Sequence, residues 1–74
     1  MREVNIHSLP PDEFITRMAT WYKECRKENV RLSEYNKCLG QADNQCRYYA
    51  VQNKNNSVKS SCKELYNKWY NRYN

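Results

Sequence analysis

Apolar side chains recur along this chain at alternating steps of four and three. Phe14, Met18, Trp21, Cys25, Leu32, Tyr35 and Leu39 form the first series, which Glu28 alone interrupts, and Ile15 and Tyr22 widen it. This spacing puts the side chains on one face of a helix. Pro10, Pro11, Asp12 and Glu13 supply a helix start, because proline suits the first turn and acids there complement the macrodipole. A helix is therefore expected over 11–38, about 40 Å long at ~1.5 Å per residue. Gly40 stands where a C-cap needs a residue of positive φ, and Asp43 offers an oxygen to cap a new start, so 39–43 reads as a turn. A return helix is expected from about 44 to 73. Cys46, Tyr49 and Ala50 share one face, and Val58, Cys62, Leu65, Trp69 and Tyr73 form a second four-three seam. Residues 53–57 are poor helix formers and read as a loop or kink, after which Ser57 is a candidate cap. Residues 1–10, with Val4, Ile6 and Leu9 alternating, read as an extended arm preceding one helical domain over 11–74.

Composition changes this picture in two ways. The chain has 74 residues, with seven Tyr, two Trp and one Phe supplying apolar bulk that the sparse aliphatic residues do not. A core of this size is marginal, so a covalent staple or a partner is expected. Charge is also uneven. Residues 1–43 hold seven basic and seven acidic side chains, whereas 44–74 hold Arg47, Lys54, Lys59, Lys63, Lys68 and Arg72 against Glu64 alone. The net charge of +5 therefore belongs to the second half, and one face should be positive. No apolar run approaches the ~20 residues of a membrane span, so no transmembrane segment is expected. Residues 1–7 lack the apolar stretch of a secretory signal.

Four cysteines in so short a chain are the strongest chemical signal. Three pairings are open. An antiparallel hairpin of the two helices brings Cys38 to Cys46 across the turn and Cys25 to Cys62 farther down. The two arms differ by about 4 Å in helical rise, which a kink at 53–57 absorbs. The rival is zinc, whose structural sites normally draw two cysteines from a knuckle two to four residues apart. Here no two cysteines lie closer than eight positions, so no metal or other cofactor is expected. Four reduced cysteines buried as small apolar groups are the remaining alternative.

This organisation resembles the coiled-coil-helix–coiled-coil-helix (CHCH), or twin CX9C, family. The run Cys25-Arg-Lys-Glu-Asn-Val-Arg-Leu-Ser-Glu-Tyr-Asn-Lys-Cys38 carries the likeness, followed by a short turn, Cys46, and Cys62-Lys-Glu-Leu-Tyr-Asn-Lys-Trp-Tyr. Glu28 and Tyr35 match the acid and the aromatic that members often place between two cysteines. Trp21, Tyr35, Tyr49 and Tyr66 stand about one turn from a cysteine, where the family's import receptor reads an aromatic. Twelve and fifteen intervening residues replace the family's nine and nine, and the adjacent Cys-Cys of its copper chaperones is absent. The resemblance implies an all-α, disulfide-stapled antiparallel hairpin with nested bonds. It also implies residence in the mitochondrial intermembrane space, peripheral to the inner membrane. The role implied is that of a structural accessory subunit of a respiratory-chain complex, of the complex I or IV type, or of an assembly factor for one. A small secreted helical signalling or toxin-like protein is the alternative.

Catalysis is not expected. There is one His, no Cys-x-x-Cys, and no carboxylate pair with a spacing logic beyond the helix-start acids Asp12 and Glu13. Basic and aromatic residues interleave in the second half, a pattern also used to track phosphates and stack bases. The four-three spacing assigns Leu65, Trp69 and Tyr73 to a core seam instead, so nucleic acid is not the expected partner. Tyr48, Tyr66, Tyr70 and Arg72 fall off that seam and are the candidate contacts to a larger protein complex. The basic half also suits anionic lipid headgroups at a membrane surface.

Overall fold

A computed structural model describes residues 6–73, and all regular structure among them is helical. A short 3-10 turn, Ile6–Ser8, precedes α1 (Pro11–Cys25), α2 (Leu32–Gln52) and α3 (Asn56–Tyr70). The three helices pack pairwise on one another, and two disulfides join them. The all-α, disulfide-stapled class expected from the sequence is therefore present, with three helices in place of two arms.

The first difference is at residues 26–31. Continuing the helix would carry Glu28 onto the apolar seam, where an unpaired carboxylate is costly. The chain instead leaves the helix after Cys25, and Asn29 takes φ 66°. Asparagine tolerates this left-handed conformation better than most residues. Val30 then tucks against the core.

The second difference is at Gly40, which lies inside α2. Tyr35, Leu39, Ala42, Cys46 and Tyr49 are all buried. Their four-three spacing runs through Gly40 without a break, and burial of that stripe outweighs the helix cost of a single glycine, about 1 kcal/mol. The expected turn at 39–43 does not exist.

The return is interrupted only at 53–55. Lys54 adopts φ 48°, its N–H donates to the Val51 carbonyl, and Asn55 N–H donates to that of Ala50. This is a Schellman closure with lysine in the position glycine usually takes. Asn55, not Ser57, caps α3 by accepting a hydrogen bond from Val58 N–H at 3.0 Å.

The core joins Phe14, Met18, Tyr22 and Cys25 of α1 to the α2 stripe with Ala50, and to Val58 and Cys62 of α3. Leu65, Trp69 and Tyr73 flank it half-buried, as does Trp21, whereas Leu32 is 52% exposed and off the seam. Tyrosines do much of the work of the missing aliphatics, and three of their hydroxyls bond to distant backbone. Tyr35 donates to the Trp69 carbonyl, Tyr49 to that of Leu9, and Tyr73 to that of Val30 at 2.8 Å. Each phenol thus buries a ring and satisfies its polar tip. Phe14 stacks on Tyr49 with centroids 3.8 Å apart.

The extended arm is corrected in its described part. Residues 6–8 form the 3-10 turn, and His7 Nε2 lies 2.7 Å from Gln45 Oε1, beside Phe14, Tyr48 and Tyr49. Val4 and the rest of 1–5 lie outside the described residues.

Candidate functional site: the disulfide framework and the exposed aromatics

All four cysteines are bonded, but in a different pairing from the expected one. Cys25 joins Cys38 with Cα atoms 5.6 Å apart, and Cys46 joins Cys62 at 5.8 Å. The nested pairs Cys25–Cys62 and Cys38–Cys46 are corrected by the two helix changes. Because α2 runs unbroken through Gly40, Cys38 and Cys46 sit eight residues apart on one helix, about 12 Å by rise, beyond the ~7 Å limit for bridging. Because the chain breaks at 26–31, α2 turns back and presents Cys38 to Cys25. Each bond therefore links neighbours in sequence, α1 to α2 and α2 to α3.

The two bonds close loops of thirteen and sixteen residues' separation. In the chain-entropy treatment each is worth about 3 kcal/mol. Cys46 and Cys62 are both buried, whereas Cys38 is half-exposed.

The four candidate contact residues do not form one patch of equal character. Tyr48 is 55% exposed on α2 and meets the His7 ring edge-on at 5.1 Å. Tyr70 is 54% exposed near the end of α3 and stacks on Tyr66 at 5.9 Å. Tyr66 is half-buried and packs on the core. Arg72 is exposed and lies 5.5 Å from the Trp69 ring centroid, with Lys68 Nζ at 5.8 Å from the same ring. Sequence reasoning did not single out Val51, exposed beside the Schellman turn.

A second polar locus was not anticipated. Tyr22 is wholly buried, and its hydroxyl has no hydrogen-bond partner, nor does Asp43 Oδ1. Burial pushes the Tyr22 phenol well above the ordinary tyrosine range, and the Asp43 carboxylate adds to the shift. Burial also raises Tyr35, against a lowering by Arg26 and Arg72. Asp43 Oδ2 does pair with Arg47 Nε at 3.0 Å, one turn along α2.

Among the described residues no group of His, Cys, Asp and Glu is placed to hold a metal ion, and no helix is long and apolar enough to cross a membrane. Comparison of the chain with family models, curated proteins and solved structures finds no match to any.

Proposed function

We propose that this chain is a non-catalytic binding module of an oxidising compartment, a stapled helical scaffold that docks onto a larger protein assembly. The observation that carries this reading is the pair Tyr48 and Tyr70, each more than half exposed on a chain whose other tyrosines are drawn into its core. Large amphipathic rings beside cations are the usual anchors of protein interfaces. All four cysteines are spent on bonds between helices, which suits a structural role where thiols are oxidised. The specific form that the family resemblance implies is an accessory subunit, or an assembly factor, of a respiratory-chain complex on the intermembrane-space side.

A second reading is a small secreted helical protein that binds a receptor. The pairing of consecutive cysteines favours it, since the resemblance implied nested bonds.

The test is photo-crosslinking in the native source, with a benzoylphenylalanine placed at Tyr48 or Tyr70 and, as control, at Lys37. Respiratory-complex subunits captured from Tyr48 and Tyr70 but not Lys37, in protein shielded by the outer membrane, support the first form. Oxidised protein recovered outside the cell and linked to a surface receptor supports the second. A monomer that crosslinks to nothing from either tyrosine overturns the docking reading.

A further inference from the structure

The excess positive charge of the second half is not spread evenly over the surface. An open cavity of about 330 Å³ between α2 and α3 is lined by Arg47, Lys59, Ser60 and Lys63. We propose that this groove is a binding site for a phosphate group.

Three cationic residues and a serine line it, with no acidic residue in the lining. Lys59 and Lys63 lie one turn apart on α3, a like-charge spacing that slightly destabilises a bare helix. An anion between them turns that repulsion into attraction. Arg47 approaches from α2 with its Nε held by Asp43 Oδ2 at 3.0 Å, which leaves the terminal guanidinium nitrogens for a ligand. Asp43 offsets one of the three positive charges, and the two that remain match a dianionic phosphate ester. Ser60 adds a hydroxyl that donates to a phosphate oxygen. Arginine and lysine with a hydroxyl are the donor set phosphate chemistry favours.

The walls of the groove are fixed. Arg47 directly follows Cys46, and Lys63 directly follows Cys62. The Cys46–Cys62 bond holds the two cysteine Cα atoms 5.8 Å apart, so the helix backbones that carry the cations are set before any ligand arrives, which lowers the cost of binding. Along α3, Lys59 and Lys63 continue at the same four-three spacing into the stacked pair Tyr66 and Tyr70. Cations followed by tyrosines suit a phospholipid headgroup at a membrane surface. A free phosphate ester offers the same chemistry to the groove.

The experiment uses the oxidised full chain, isotopically labelled for amide NMR. Inorganic phosphate should give saturable shifts at Arg47, Lys59, Ser60 and Lys63. Replacing both groove lysines, Lys59→Ala with Lys63→Ala, should weaken binding about tenfold or more, two charge-assisted hydrogen bonds being lost. The charge-matched pair Lys23→Ala with Lys37→Ala should leave it unchanged. All four positions are exposed, and circular dichroism is the check that both variants fold. Sedimentation with phosphatidylcholine vesicles, with and without phosphatidylglycerol, distinguishes the sources. Groove-dependent binding to the anionic vesicles assigns a lipid headgroup, and phosphate binding without vesicle binding assigns a soluble ester. Unsaturable shifts across all lysines, or equal losses in the two double variants, overturn the site. So does an oligonucleotide that binds far more tightly than phosphate, with a salt slope exceeding the groove's charges.

Discussion

The two connections between helices solve the same problem with different chemistry. Residues 26–31 make a wide turn in which Val30 N–H donates to the Lys27 carbonyl at 3.2 Å, and which is otherwise held from outside. The Cys25–Cys38 bond brackets it, and Tyr73, from beyond α3, donates to the Val30 carbonyl. Arg26 lies over the Tyr73 ring at 5.0 Å and donates from Nε to the Tyr73 carbonyl at 3.0 Å. Residues 53–55 make a tight turn that closes itself, with two Schellman hydrogen bonds and an asparagine cap. Its disulfide, Cys46–Cys62, lies well away from the turn, in the buried middle of the α2–α3 pair. A turn with sound local hydrogen bonding leaves its staple free to fix the helix pair. A turn with fewer local bonds and no side-chain cap draws on the staple and a distant residue as well.

The largest effect that would sharpen this contrast comes from removing each bond. Cys46→Ala with Cys62→Ala should cost about 3 kcal/mol from loop entropy plus a further loss of buried packing, against a total stability of about 5 kcal/mol for a domain of this size. Denaturant melts should show it largely unfolded at 37 °C. Cys25→Ala with Cys38→Ala should cost less and chiefly loosen α1, read as faster amide exchange over 11–25. Equal damage from both pairs would break the comparison.

Titration is the next contrast. Tyr35 sits near the first connection, faced by Arg26 and Arg72, whereas Tyr22 is faced by Asp43. Both phenols hold their protons more tightly folded than unfolded. Their contribution is therefore complete below the unfolded value of about 10 and is lost as pH rises beyond it. Stability measured by urea melts should fall above pH 10. Tyr22→Phe should flatten that fall and be neutral or stabilising at pH 7, because its buried hydroxyl has no partner. An unchanged alkaline slope would contradict the burial argument.

Tyr73→Phe removes one long-range tether of the first turn, the hydroxyl bond to Val30, and should cost about 1 kcal/mol. A null effect would make that turn as self-sufficient as the other.

The smallest effects come from backbone chemistry. Lys54→Gly should stabilise by up to about 1 kcal/mol, since glycine takes positive φ without strain. Asn29→Gly should gain less, because asparagine already tolerates that region. Gly40→Ala should also gain about 1 kcal/mol, since it lies within α2 and a Cβ there would meet no atom within 4 Å. Thermal melts of the three variants rank these gains.

Glycine and lysine explain much of what the sequence did and did not make legible. The apolar seams were readable, and most of their members are buried. The break at 26–31 was marked by Glu28 on the seam and by Asn29, but a single charged interruption is a weak signal beside a long periodic stripe. Gly40 looked like a helix end because glycine usually marks one, yet the stripe from Tyr35 to Tyr49 ran straight through it. The true end of α2 was marked by the poor helix formers at 53–57, although the lysine in the glycine position carried no signal of its own. The pairing of the cysteines followed from those two boundaries, and both had to be placed before it could be read. The phosphate groove needed the two helices in register, since Arg47 lies twelve residues from Lys59 in sequence. The exposure of Tyr48 and Tyr70 did follow from their positions off the seams.

The central claim is that each disulfide joins consecutive cysteines across a helix boundary. Non-reducing proteolysis with mass spectrometry, on protein from its native source, tests it most directly. The account predicts peptides linking Cys25 to Cys38 and Cys46 to Cys62. Peptides linking Cys25 to Cys62 and Cys38 to Cys46 would contradict it and restore the nested hairpin, with a turn at Gly40 after all.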